Sequence, residues 1–288
     1  MNRNVIIASD STCDLNAELI ERYDVRILPL TVNLGDQQYS DGVDIDPEMI
    51  YQRYEETGLL PKTSAPNIAD LEDFFKKNTE GGNSLVFFTI SGEMSSTYNN
   101  ARLAAEAFEN VYVVDTRNLS TGGGLLVVSA GEMAKEGKSA EEIAEACRAM
   151  TSRVDASFVI DNLEFLHKGG RCSAVAAFGA NLLQLKPCIV VRNGKMSVAK
   201  KYRGKFSVTL EKYISDRIGD GADIETSCVF VTHAGCDEAI WSTCVEQVKK
   251  LGLFKEVHMT RAGCTVSAHC GRNTLGVLFI RKSPIVEN

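Results

Sequence analysis

The chain has 288 residues, 44% hydrophobic and 24% charged, which is the make-up of a folded globular protein with one large or two ordinary domains and excludes a disordered chain. A formal net charge of −7 with a pI near 5.3 argues against a nucleic-acid partner, because phosphate neutralisation needs a basic face. No run reaches the length of a spanning helix, and Asp10 cuts the N-terminal apolar run too early for a secretory signal, so a cytoplasmic location without stable membrane insertion is expected.

Strand-like and helix-like segments alternate through the first half. The run "NVIIASDS" (4–11) reads as a strand ending in turn formers, followed by a helical "LNAELIERY" and a second strand, "VRILPLTV" (25–32). In "DPEMIYQRYEE", Asp46 is the expected N-cap and Pro47 the first helical residue. "SLVFFTIS" (84–91) and "NVYVVDT" (110–116) are buried-strand runs separated by the helical "STYNNARLAAEAF". Apolar strands alternating with helices predict a parallel sheet covered on both faces, a three-layer arrangement. The Gly-Gly-Gly of 122–124 reads as close packing at the start of an apolar helix-like run. "SAEEIAEACRAM" opens with a Ser139–Glu142 capping box and reads as the last helix of this half.

The second half changes character. "PCIVVRNGKMSVAKKY" (187–202) is two strand-like runs around Asn193-Gly194, a strong hairpin signal. A helix through "VTLEKYISDRI", a strand "SCVFVTHAG", a helix from Cys236 to Gly252 and the strands "EVHMTR" and "TLGVLFIRK" follow. The prediction is a two-domain α/β protein: a parallel-sheet domain over 1–155 and a mixed-sheet α/β domain over 156–288.

Nine cysteines are scattered along the chain without a Cys-x-x-Cys pair, which fits reduced thiols better than a disulfide framework. The nearest approach to a metal set is Cys264, His269 and Cys270, but adjacent His-Cys is poor ligand geometry and no fourth ligand is spaced to help, so no metal is expected.

Four loops concentrate hydroxyls, glycine and histidine: "SDST" (9–12) with Asp10 and Ser11, "KTSAP" (62–66) with Thr63 and Ser64, "ISGEMSSTYNNA" (90–101) with Ser95, Ser96 and Thr97, and "SAHCGRNTLG" (267–276) with His269 and Gly271. The first and third follow strands of the parallel half, where open α/β sheets place ligands. Ser95 or Ser96 is positioned to cap a helix whose free N–H groups favour a carboxylate or phosphate. Ser95 or Ser96 with His269 also supplies the materials of a serine-dependent acyl hydrolase or transferase, although no G-x-S-x-G elbow is present. No P-loop or dinucleotide fingerprint occurs. "FLHKGGRCSAVAAFGANLLQLKP" (165–187) opens with a basic Gly-Gly turn carrying Lys168 and Arg171. Behind it runs an expected apolar helix with Val175, Phe178, Leu182, Leu183 and Leu185. Arg171 has the fork to clamp a carboxylate or phosphate. A second basic cluster, "KKYRGK", carries Arg203.

These segments, in this order, resemble the DegV family over nearly the whole chain: "SDST", "ILPLTV", "TSAP", "ISGEMSSTYNNA", "VVDT", "LHKGGR", "LKPCIVVRNGKM" and the terminal His-x-Gly stretch. The resemblance implies a two-domain α/β protein holding a long-chain fatty acid between its domains. It implies a carrier subunit of bacterial fatty acid kinase type, which presents the carboxylate to a separate ATP-using subunit. The resulting acyl-phosphate feeds phospholipid synthesis. By the same resemblance Thr63 and Ser95 hydrogen-bond the carboxylate with His269 beside it, and Arg171 and Arg203 meet the kinase partner. No cofactor is implied. The chain departs from the family pattern in the types at Gly92 and Ser96, in Lys62 before "TSAP", and in Arg272-Asn273, the last bearing on partner identity. The physical logic agrees: each buried methylene contributes roughly 0.8 kcal/mol, so a sixteen-carbon tail supplies about 10 kcal/mol before ordering costs.

Overall fold

The computed structural model describes residues 4–173 and 185–286. A four-stranded parallel sheet in the order β2-β1-β6-β7 occupies the N-terminal part. Its strands are β1 (Val5–Asp10), β2 (Arg26–Leu28), β6 (Ser84–Thr89) and β7 (Val111–Asp115). Around it lie α1 (Ala17–Arg22), α3 (Ile68–Thr79), α4 (Thr97–Ala105), α5 (Thr121–Lys135) and α6 (Ala140–Met150). β6 is buried at every residue, as a parallel strand covered on both faces must be.

The C-terminal part is a mixed six-stranded sheet in the order β10-β9-β8-β13-β11-β12. It comprises β8 (Val154–Ile160), β9 (Leu185–Arg192), β10 (Lys195–Arg203), β11 (Ile224–Ala234), β12 (Glu256–Arg261) and β13 (Thr274–Arg281). Only β11 and β12 pair in parallel, linked by α9 (Glu238–Lys250). The helix α8 (Phe206–Ile218) and the short helices α7 (Glu164–Gly169) and α10 (Cys264–Cys270) also belong to this part. The predicted fold class is the one observed.

Local signals account for several elements. The β9–β10 turn has Asn193 at φ 49° and Gly194 at φ 82°, the doubly positive pair of a tight hairpin. Asp46 accepts from the Met49 N–H at 3.0 Å and caps α2 (Pro47–Thr57). Ser139 and Glu142 close a reciprocal capping box on α6.

Two sequence expectations need correction. The run 25–32 is not one strand. It breaks after Leu28, and β3 (Thr31–Leu34) joins β4 (Gln37–Ser40) and β5 (Lys62–Ser64) in a separate antiparallel sheet of order β4-β3-β5. Pro29 has no N–H to continue a ladder. Leu185, read as part of an apolar helix, is the first residue of β9, paired with Arg203; Val175, Phe178, Leu182 and Leu183 of that expected helix lie outside the described residues.

α5 joins the two large sheets. It packs on β1 and β6 on one side and on β8 and β13 on the other, and one apolar core runs from Ile7, Val86 and Phe88 through Leu125 and Val127 to Ala156, Ile189 and Leu278. A helix apolar all round belongs in such a position. Its glycines let neighbours approach: a Cβ on Gly124 would stand 2.7 Å from the Cys13 carbonyl oxygen and 2.9 Å from Leu15. Gly124→Ala should therefore lower stability by about 1–3 kcal/mol, as overpacking against backbone does; urea unfolding measures this, and an unchanged midpoint would show that the contact is relaxed elsewhere.

Candidate functional site

A cavity of about 630 Å³ opens between the two parts. The small antiparallel sheet gives it Thr63 and Ser64, and the loop after β6 gives Met94, Ser95 and Ser96. Leu119, Phe158, Leu166, Met196 and Val266 form apolar walls, while Arg171 and His269 complete the polar end. A second, almost wholly apolar chamber of about 40 Å³ shares Leu119, Phe158, Val266 and Cys270 with it. The space thus joins a cavity lined by hydroxyls, Arg171 and His269 to a small apolar chamber, and the cavity's size falls within the range of about 300–1,000 Å³ of small-molecule sites.

His269 stands on α10, so it is a helical residue. Its Nε2 lies 2.9 Å from Thr63 Oγ1, a bond between residues 206 apart in sequence. Its Nδ1 is buried and without a hydrogen-bond partner among the described residues. Burial, and then the nearby Arg171 guanidinium, lower its pKa to about 4, so the ring is neutral at pH 7. The helix is seated by carboxyl groups from the N-terminal part. Asp41 accepts from the N–H groups of Cys264 at 2.7 Å and Thr265 at 3.0 Å, and Asp14 accepts from Gly263 N–H at 2.8 Å.

Ser95 and Ser96 sit where α4 begins. Ser95 Oγ lies 2.9 Å from Thr97 Oγ1 and accepts from Thr97 N–H at 3.3 Å. Ser96 holds the cap position without a side-chain capping bond, so Ser95 serves the helix start. Neither serine is hydrogen-bonded to His269 among the described residues, whose Nε2 is taken by Thr63.

The other residues singled out in the sequence fall into two groups. Thr63, Ser64, Ser95, Ser96, Arg171 and His269 all line the cavity. The remainder stand behind or outside it. Asp10 is fully buried and ties two loops together, accepting from Thr12 Oγ1 at 2.6 Å and Ile90 N–H at 2.8 Å; burial raises its pKa to about 6. Ser11 donates to Asp41 at 2.9 Å and so supports the seat of α10. Thr97 is buried beneath Ser95. Gly271, at φ 72°, ends α10, and a Cβ there would meet Phe165 at 2.9 Å. Arg203 is exposed on the edge strand β10 and does not line the cavity. Arg272 turns away from the cavity to Glu48 at 2.7 Å and covers the Tyr51 ring at 4.5 Å.

Sequence reading missed Asp14 and Asp41, which hold the His269 helix from more than 200 residues away; each looks like an ordinary turn aspartate. Among the described residues no disulfide joins any of the nine cysteines, and Cys264 donates to the Ile45 carbonyl at 3.4 Å. Among the described residues no group of three or more His, Cys, Asp or Glu could hold a metal ion, and no helix is long and apolar enough to cross a membrane.

The fold is a two-part α/β arrangement with a cavity between a parallel and a mixed sheet. The chain belongs to the DegV family, whose model, described as an uncharacterised protein family, matches residues 4–282. A DegV domain-containing protein of Clostridium acetobutylicum is 32% identical over 278 residues, covering 96% of this chain and 98% of its own. Among solved structures, a fatty-acid-binding DegV family protein of Thermus thermophilus is similar at TM-score 0.87 and 29% identity, over 96% of this chain and 99% of its own. A stearic-acid-binding protein of Eubacterium ventriosum is similar at TM-score 0.83 and 28% identity, over 96% and 98% of the two chains.

The seat of α10 predicts a pH dependence. Burial raises Asp14 from 3.8 to about 8, so the folded chain keeps a proton that the unfolded chain releases, and stability falls as pH rises between these values. His233 and His269, lowered from 6.5 to about 4, oppose this only below pH 6.5, and Asp10 adds to it only up to about 6. Between pH 6.5 and 8 unfolding stability should therefore fall, by at most about 1.4 kcal/mol per pH unit, and Asp14→Asn should flatten the slope. An unchanged slope in that variant would refute the assignment.

Proposed function

We propose that this chain binds a long-chain fatty acid in the cavity between its two parts, taken as residues 1–155 and 156–288. The carboxylate lies at Thr63 and Ser95 beside His269, and the tail runs along Leu119, Phe158 and Val266 toward the apolar chamber. The single observation that carries this reading is the pairing of Thr63 and His269 in the lining of a cavity that adjoins an apolar chamber. Fatty-acid-binding relatives that share the fold over nearly their whole length support it. In this arrangement a neutral His269 donates from Nε2 to Thr63 Oγ1, which frees the Thr63 hydroxyl proton for the carboxylate. Ser95 supplies a second hydroxyl close to the start of α4, where the helix dipole favours negative charge.

The chain then acts as a carrier and not as a catalyst. It presents the carboxylate to a separate ATP-dependent fatty acid kinase subunit in the cytoplasm for acyl-phosphate formation. Arg171 at the cavity mouth and Arg203 on the edge strand contact that subunit. The motif resemblance supports this partner reading. The serine-hydrolase alternative requires Ser95 or Ser96 to be activated by His269, and His269 is engaged with Thr63 instead.

Titration of the delipidated protein with hexadecanoic acid tests the site. Thr63→Val and Ser95→Ala should each weaken binding roughly tenfold or more, the loss of one hydrogen bond of about 1.5–3 kcal/mol to a charged group, while Thr63→Ser retains most affinity. Unchanged affinity in both deletions would move the head group elsewhere. Covalent labelling of Ser95 by a fluorophosphonate, lost on Ser95→Ala, would replace the carrier by the hydrolase.

A further inference from the structure

The first glycine of the basic turn has no backbone reason to be there. Gly169 is the last residue of α7, and the left-handed position that ends the helix belongs to Gly170 at φ 70°. Gly169 itself has no positive φ, and glycine inside a helix is less stable than alanine. What its missing side chain leaves free is the His269 ring: a Cβ on Gly169 would stand 2.7 Å from His269 Nδ1, 3.6 Å from Cγ and 3.7 Å from Cε1. The Gly170 Cβ position, by contrast, has nothing within 4 Å among the described residues.

We propose that Gly169 is a positioning residue for ligand binding, whose bare Cα face fixes the His269 imidazole so that Nε2 meets Thr63. This rests on the head-group site described above. The ring is boxed in on the opposite side by its bond to Thr63 at 2.9 Å, and among the described residues Nδ1 makes no bond that would hold the ring by itself. A methyl group on Gly169 is therefore accommodated most easily by the ring, the far end of a side chain, and the ring moves off Thr63. The Arg171 guanidinium, which bonds the Gly169 carbonyl at 2.7 Å, keeps its backbone partner in an alanine variant. The glycine thus serves the site at the expense of the helix, so substitution separates stability from binding.

The test is Gly169→Ala, read by thermal unfolding, by imidazole NMR and by hexadecanoic acid titration. With four histidines in the chain, the His269 ring signals are assignable by comparison with His269→Ala. The expected result is a melting temperature equal to or above that of the parent, shifted His269 signals, and a loss of affinity matching that of His269→Ala. Combining the two substitutions should add no further loss. Unmoved His269 signals, or losses that multiply in the double variant, would overturn the proposal. Should Gly169→Ala fail to fold, the double variant, which has no ring to meet, is expected to fold, and its failure would equally overturn it. A parent protein that takes up no hexadecanoic acid sinks the carrier reading alone, because the ring signals still report the contact.

Discussion

Three backbone N–H groups at the start of α10 end on two carboxyl groups of the other part of the molecule, Asp14 and Asp41. This cross-link fixes where His269 stands. A short helix start buried without partners would cost about 1–3 kcal/mol for each stranded N–H, so α10 is held to the loops of the parallel sheet. Ser11 braces Asp41 and Ser120 braces Asp14. From that seat the helix carries His269 to Thr63 on the small antiparallel sheet, and the polar end of the cavity exists only because these groups meet.

α5 supplies the complementary constraint. Lying between both large sheets in one apolar core, it holds them at a distance set by glycines and small side chains. Leu119, just before α5, and Phe158 of β8 line the apolar chamber beside this core. The hairpin turn after β9 also ties to the loop after β6, through Ser91 Oγ donating to the Gly194 carbonyl at 2.8 Å. The cavity is the space between two fastened layers, lined by hydroxyls, the Arg171 guanidinium and one neutral imidazole.

Much of this was legible in the sequence because it is encoded locally. Apolar runs such as Ser84–Thr89 announce buried strands, Asn193-Gly194 requires its turn, and Ser139 with Glu142 caps its helix. The loops bearing Thr63, Ser95 and His269 stood out by composition. The β3–β4–β5 sheet did not, since "QQYS" and "KTS" are short and polar and lack a two-residue period. α10 escaped because "CTVSAHC" has weak helix formers and is capped by aspartates more than 200 residues away. A separation of 100 positions likewise hid the neighbour of Gly169 in space, His269, which nothing in "HKGGR" announces. Arg272, which as a departure from the family pattern bore on partner identity, turns to Glu48 and Tyr51, away from the cavity.

Native mass spectrometry of the purified protein, followed by denaturation and lipid analysis of what it releases, bears most directly on the central claim. A stoichiometric adduct that comes away as an intact long-chain fatty acid is the result predicted for a carrier, and its mass names the chain the cavity selects. A protein that arrives empty and stays empty when incubated with long-chain fatty acids would contradict the carrier function.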